Sequence, residues 1–380
     1  MLVRAAVFGL AYFAGAEIGY LLSHDGQEPI FWPPAGLFLA SLVLSERRAW
    51  PAMLAAALVA SLVSNALFHD KSLPLSLGLY TANCAAACAG AWLLGRFLRP
   101  PIALATIRDV LGLSLLAALS CAVGATIGAA VLSTTFGQGY GPAWPAWWLS
   151  DALGVLVVAP VVLTAARCGS FPQAWRRRLA EGAFLFLGLV VTSQAVYGEW
   201  LAPPFNVPIL ILPFLLWAAV RFGPPGAAAA LLMVALIGVW NVSQGRGPFM
   251  ALTAAPSQHL LRVQGSLGLI TLCVLILAAA VAERAQTERE KIKLISELEQ
   301  ALAEIKTLRG LIPLCAWCKK MRDDAGSWQG LEDYLSTHTD AQVTHGVCPE
   351  CMEKQLTGMT SRGPAGNDTL TGKDIEKTLE

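Results

Sequence analysis

The sequence predicts an all-α polytopic membrane bundle of about eight to ten transmembrane helices, then a short coiled-coil linker and a small zinc-stapled α+β or irregular module. Three observations predict this. Of 380 residues, 55% are apolar and 14% are charged, and the mean hydropathy is +0.56, where soluble domains carry about 25% charged residues. The 27 Lys and Arg residues divide unevenly, 14 before residue 284 and 13 in the last 97 positions. Four of the nine cysteines form two C-x2-C pairs in that charged end. The chain thus divides into a membrane-embedded region, 1–284, a helical linker, 285–311, a four-cysteine module, 312–354, and a tail of disordered composition, 355–380.

Ten apolar segments are candidate spans, centred near Phe13, Leu39, Leu58, Cys84, Cys121, Val155, Leu189, Leu212, Met233 and Leu272. A crossing helix needs about 20 apolar residues. The first segment, 2–22, contains Ala14-Gly15-Ala16, a weak cleavage-site pattern, but its length and the spans behind it make it a retained span. The second, 30–44, opens on Phe31-Trp32-Pro33-Pro34, and proline suits a helix's first turn or a re-entrant break. Between the eighth and ninth, Arg221-Phe222-Gly223-Pro224-Pro225-Gly226 reads as a tight turn. An eight-span count follows if one such pair is re-entrant. With ten spans, Arg4, Arg47, Arg48, Arg96, Arg99, Arg108, Arg167, Arg176, Arg177, Arg178 and Arg221 share one side, and Lys71, Arg246 and Arg262 share the other. The positive side faces the cytoplasm, so both termini do. Trp144, Trp147 and Trp148 open the sixth span, and Tyr197 and Trp200 close the seventh, as an interfacial belt would.

Ionisable groups in hydrocarbon are costly and usually face a bundle interior or a cavity. The candidates are Glu17, Asp109 and Asp151, with Asn65, Asn83, Gln194 and Asn241 beside them. Two readings stand. One is a ligand pocket framed by Glu17, Trp32, Trp148 and Asp151 at the outer ends of their spans. The other is interhelical hydrogen bonding, about 0.6 kcal/mol for each bond, with the tryptophans as anchors. No broken-helix pattern recurs in the two halves, which weighs against a secondary transporter. The scattered Cys84, Cys88, Cys121, Cys168 and Cys273 read as small hydrophobes. Their spacing and the odd count argue against a secreted disulfide framework. A net charge of +1 without a basic stripe gives no sign of a nucleic-acid partner.

Four stretches carry a family resemblance: Phe31-Trp32-Pro33-Pro34-Ala35-Gly36; Trp147-Trp148-Leu149-Ser150-Asp151-Ala152-Leu153-Gly154 with Ala159-Pro160 behind it; Leu212 to Gly223; and Gly245-Arg246-Gly247-Pro248-Phe249. Together they make 4–284 resemble the MASE-type domain, the first membrane-associated sensor family of bacteria. The resemblance implies a bacterial inner-membrane location amid membrane lipid. It also implies an eight-span sensory region that usually feeds a histidine kinase or a diguanylate cyclase.

In the linker, Ile295, Leu298, Leu302, Ile305 and Ile312 fall near a and d spacing, with Arg309 breaking the series, while Glu297, Glu299, Glu304 and Lys306 dress the polar faces. The spacing predicts about two heptads of coiled coil, favouring a parallel homodimer. A plain solvated helix is the alternative. In the module, Cys315-x2-Cys318 and Cys348-x2-Cys351 can set four thiolates around one structural Zn2+. A module this small rarely folds on apolar burial alone, and soft thiolates select zinc over Mg2+ or Ca2+. Asp323-Asp324-Ala325-Gly326 reads as a turn, followed by a helix-like face of Trp328, Leu331, Tyr334 and Leu335. His345 as a substitute ligand and a redox pair are the rivals. The run from Leu308 to Met352 resembles a short cysteine tail that follows PAS and receiver domains in environmental bacteria, a family without assigned chemistry.

The sequence holds no kinase phosphoacceptor helix, no ATP-binding glycine boxes, no G-G-D-E-F and no E-A-L. The expectation is therefore a non-enzymatic receptor whose module docks a cytoplasmic signalling protein in trans, a histidine kinase, cyclase or regulator. The alternatives are a zinc- or redox-responsive protein whose tail is the sensor, and a small-molecule transporter.

Overall fold

The computed structural model describes residues 2–23, 29–98, 102–137, 139–166, 179–201, 207–248, 256–310, 313–323, 325–338 and 342–360. Arg99, Arg167, Cys168, Arg176, Arg177, Arg178, Phe249, Ile312, Asp324 and the tail beyond 360 lie outside them. The chain forms two compact units, Met1–Ile292 and Lys293–Glu380.

The first unit is helical: α1 (Leu2–Leu21), α2 (Pro33–Val43), α3 (Trp50–Phe68), α4 (Leu73–Phe97), α5 (Ile107–Phe136), α6 (Tyr140–Ala165), α7 (Leu179–Tyr197), α8 (Leu212–Ser243) and the start of α9 (Pro256–Gly310). Proline in the first turn opens α2, α3, α4 and α8, where its missing amide has no intrahelical partner to lose. Thr106 caps α5, its hydroxyl accepting from the Asp109 amide at 3.2 Å. Asp109 thus sits at a helix N-terminus, where the dipole favours it, and not in the interior. Most helices are apolar around the whole circumference, and Leu10, Leu115, Leu119 and Leu187 stay exposed, as on a lipid-facing surface.

Among the described residues, eight helices are long and apolar enough to cross a membrane, and α2 is too short by that measure. Inside α8, Gly223 breaks the helix at φ +64°, a conformation open to glycine and strained for other residues. Before it, Phe222 lies against Gly182 and Phe214 against Gly188, so 212–222 runs antiparallel to α7. After it, Gly238 lies against Tyr197 and Asn241 bonds Gln194, so 224–243 runs parallel to α7. The chain reverses at Gly223, as the turn chemistry predicts. The ten segments of the sequence thus resolve into full-length helices and two short return arms, α2 and 212–222.

The two arms occupy equivalent places. Pro33 lies against α1 at Gly15 and Phe38 against Phe8, so α2 runs antiparallel to α1. Ala56 meets Gly9 and Ser64 meets Glu17, so α3 runs parallel to it. Long helix, proline-led short arm, arginine-bearing turn, proline-led long helix: this order occurs at 2–68 and again at 179–243. The expectation that no broken-helix pattern recurs is therefore corrected. Hydropathy masked the recurrence because the short arms are as apolar as full spans.

Of the aromatics expected at an interfacial belt, Trp147 and Tyr197 depart from it by burial, while Trp144 and Trp148 are tied to α5. Trp147 and Tyr197 are buried, Trp148 donates to the Ala118 carbonyl at 2.8 Å, and Trp144 donates to Thr126 at 3.1 Å. Trp200 alone of the five is largely exposed and fits that reading.

In the second unit, Leu314 bridges Met321, β1 (Met321–Arg322) pairs antiparallel with β2 (Trp328–Gln329), and α10 (Leu331–His338) and α11 (Pro349–Thr360) follow. Trp328 belongs to a strand and not to the helical face expected for it. Residues 355–360, expected in a disordered tail, continue α11. Ile295, Leu298 and Leu302 are exposed.

Candidate functional site

Five helices of the first unit leave a cavity of about 980 Å3 between them. Each contributes by helical spacing, since residues three and four apart share a face. From α1 come Glu17, Tyr20 and Leu21; from α3, Ser61 and Asn65, with His69 and Lys71 just beyond its end. From α4 come Leu75, Leu79 and Asn83; from α5, Leu132 and Phe136; from α6, Trp147, Ser150 and Asp151. Trp32, on the segment entering α2, completes one wall. The cavity lies in the half of the unit that holds the C-terminal ends of α1, α3 and α5 and the N-terminal ends of α4 and α6.

Close helix contact fixes this geometry. Gly36 on α2 and Gly154 on α6 meet backbone to backbone, and a Cβ on either would collide with Gly154 or Trp32 carbonyl oxygen respectively. The Trp32 amide donates to the Ser150 carbonyl at 3.3 Å. Two of the sequence stretches that carry the family resemblance are thus one structural joint at the cavity wall.

Toward the mouth lies a linked polar network. Glu17 accepts from the Ser64 hydroxyl at 2.6 Å and lies 3.2 Å from His69 Nε2. Tyr20 donates to Asn65 Oδ1 at 2.8 Å and accepts from the Lys71 ammonium at 2.9 Å, which also caps the Tyr20 ring. Deeper, Asp151 is 2% exposed and accepts from the Trp147 indole at 2.9 Å. Beside it Asn83 Oδ1 and Ser150 Oγ are buried without a hydrogen-bond partner, as is the Tyr12 hydroxyl. Behind Asn83 and Asp151 only a void of about 10 Å3 remains, about one water.

Three of the four residues read as a pocket, Glu17, Trp32 and Asp151, line this cavity, and Trp148 does not. Its neighbour Trp147 takes that place, because Trp148 turns toward α5. Gln194 and Asn241 bond each other between α7 and α8, the interhelical role. Lys71 and His69 were not singled out. The signal for them was Asn65 and His69 at i, i+4, with Lys71 in the loop just past the helix.

The cysteines form two half-sites. The Cys318 amide donates to Cys315 Sγ at 3.5 Å, and Lys319 takes φ +59° to close that knuckle. Cys348 precedes α11, with Cys351 in its first turn. Backbone N–H donation from Cys318 and Cys351 holds the Cys315 and Cys348 thiols below their ordinary values, which suits metal-binding thiolates. Among the described residues no three His, Cys, Asp or Glu side chains converge on one point. Each pair thus fits a metal as two donors, and the four are not gathered. His345 instead lies 2.9 Å from Glu332.

The MASE1 family model matches residues 4–285, which takes in the cavity and stops short of the cysteines. No curated protein and no solved structure matches the chain.

Proposed function

The chain belongs to the MASE1 family of membrane sensory domains found in signalling proteins, and from that premise we propose a receptor with no catalytic output of its own. It is a multi-pass membrane protein. In the proposal it sits in a bacterial inner membrane with both termini cytoplasmic, and the cavity opens on the opposite face. A small molecule binds there. The state of the bundle passes along α9, two copies pair through Ile295, Leu298 and Leu302, and the cysteine module docks a histidine kinase, cyclase or regulator in trans. One Zn2+ on Cys315, Cys318, Cys348 and Cys351 would supply a structural clasp and no chemistry. Trp317, 95% exposed between two of those cysteines, is the natural centre of a docking face.

The observation that carries this reading is the cavity with two carboxylates inside a sensory domain. The relay is supported by α9 itself, one helix of 55 residues. It touches the bundle through Gln264, which donates to the Ile30 carbonyl at 2.9 Å, and through Glu283, which accepts from the Ile107 amide at 3.2 Å. The test is Leu298→Cys in the full chain in membranes. A disulfide-linked dimer should form, and its yield should change when Asp151→Asn is added. A yield indifferent to the cavity would defeat the relay. Transport is the second reading, favoured by the recurring short arms. Substrate flux that stops on Glu17→Gln or Asp151→Asn would select it.

A further inference from the structure

We propose that the cavity binds a small organic cation, whose protonated primary amine docks among Asp151, Asn83 and Ser150 while its apolar body lies against Trp147, Leu79 and Leu132. This rests on the receptor reading and names the ligand class of the same site.

The argument starts from what the deep end lacks. Asn83 Oδ1 is an acceptor, buried and without a partner. Ser150 Oγ is likewise unpartnered and can accept or donate. Asp151 lines the cavity with them and accepts from the Trp147 indole, so acceptor sites outnumber the remaining donors there, which are the Asn83 amide N–H2 and the Ser150 hydroxyl. A buried orphaned polar atom points to a missing partner, and this set calls for several N–H donors on one centre. A primary ammonium offers three. A quaternary ammonium offers none and fits poorly. Charge agrees: two carboxylates, one ammonium and one imidazole line the cavity, but the ammonium, Lys71, is engaged by Tyr20 and the imidazole, His69, faces Glu17, both nearer the mouth than Asp151. An anion would meet Asp151 at the deep end. A neutral polyol could accept from the Asn83 amide and the Ser150 hydroxyl but would bring no positive charge to match Asp151. The middle of the cavity is apolar, with Leu75, Leu79, Leu132 and Trp147, and so matches a hydrocarbon or aromatic body rather than a second charge.

The shared chemistry, a primary ammonium on an apolar body, has two sources: a soluble amine, or the headgroup of phosphatidylethanolamine. The test uses the full chain in nanodiscs of phosphatidylcholine, which carries no N–H. Calorimetric titration should show phenethylammonium binding at least about tenfold more tightly than 2-phenylethanol or N,N,N-trimethylphenethylammonium, with no binding of phenylacetate. Asp151→Asn should erase the preference, and Ser150→Ala and Asn83→Leu should each weaken it. The latter two carry the comparison if Asp151→Asn does not fold. Adding phosphatidylethanolamine to the discs should lower the apparent affinity of phenethylammonium if the lipid is the source and leave it unchanged if a soluble amine is. If phenylacetate, glucose or 2-phenylethanol binds as tightly as the amine, the cation class is overturned and the receptor reading survives. If no amine binds at millimolar concentration, the assignment also falls, whereas the crosslinking response to Asp151→Asn judges the relay separately.

Discussion

In the bundle, Tyr12, Phe31, Phe38, Leu113, Leu185 and Tyr197 are fully buried and packed against further apolar side chains. In the cysteine module, Met321 is the one buried hydrophobe among the described residues, while Leu314, Trp317, Trp328, Leu331 and Met352 stay about half exposed or more. The bundle closes on itself by contact. The module has secondary structure, two cysteine knuckle pairs and almost no core. The contrast teaches where each region's stability comes from: interhelical packing in one, whereas the other lacks such a core and is where the proposed metal would tie the chain together.

The largest expected effect breaks the module and spares the bundle. Stripping metal with a chelator, or Cys315→Ser, should unfold 313–360, because structural zinc supplies on the order of 10 kcal/mol to such modules. Hydrogen exchange should rise to the unprotected rate across β1, β2 and α11 while α4 and α5 remain protected. Slow exchange in the module without metal would show that it holds together by other means. The converse change is Gly154→Val. A side chain there meets the Trp32 backbone, which cannot swing away as a flexible side chain would, so the cost should be about 3 kcal/mol or more. The expected readout is a large fall in the bundle's melting temperature in detergent, with exchange in the module unchanged. Gly268→Ala is the control. Nothing lies within 4 Å of its Cβ and it sits inside α9, so the change should cost nothing and stabilise by up to about 1 kcal/mol through helix propensity.

Much of this contrast was legible in the residues. Hydropathy marked every apolar segment of the bundle. The proline pairs at Pro33-Pro34 and Pro224-Pro225 marked the places where the chain turns or restarts, because proline's chemistry is local. Glu17 and Asp151 stood out because a carboxylate inside an apolar helix demands a reason. Trp147 and Trp148 could not be told apart, since adjacent residues on a helix point about 100° apart and only the partner helix decides which faces inward. Gly36 and Gly154 were visible as residues and not as a pair, because contacts across 118 positions of sequence leave no local trace. The short arms read equally as spans or as re-entrant pieces, because apolarity reports burial and not length of helix. Two spaced cysteine pairs give their own half-sites from sequence, whereas the distance between the pairs depends on the fold that separates them.

Within the bundle, polar bonds should matter far less than packing. Gln194 and Asn241 exchange two side-chain hydrogen bonds, at 3.1 and 3.4 Å, and Asn241 also donates to the Ile237 carbonyl. Because Asn241 keeps a bond within its own helix, the interhelical pair is not its sole support. Asn241→Leu should therefore cost roughly 0.6 to 1.7 kcal/mol. Adding Gln194→Leu should cost little more or restore part of the loss, since both partners would then be apolar. Melting temperatures of the two single variants and the double variant give the coupling. A loss as large as that of Gly154→Val would make polar bonding, and not close helix contact, the main tie of the bundle.

The smallest effect belongs to Arg221, at the turn that reverses the chain before Gly223. Its guanidinium donates to Glu181 at 2.6 Å, yet the two side chains are 46% and 26% exposed. Glu181 also accepts from the Trp217 indole at 3.3 Å, so it retains a partner when the arginine is removed. An ion pair this open is screened by salt and held by a long, flexible side chain. Arg221→Ala should thus cost little, and the difference from the unaltered chain should shrink as salt rises from 50 mM to 500 mM. Gly223→Ala at the same turn should cost more and show no salt dependence, because its penalty is the positive φ and not charge. If Arg221→Ala proves the costlier of the two, the reversal is held by the ion pair, and the bundle depends on a single polar tie more than its packing implies.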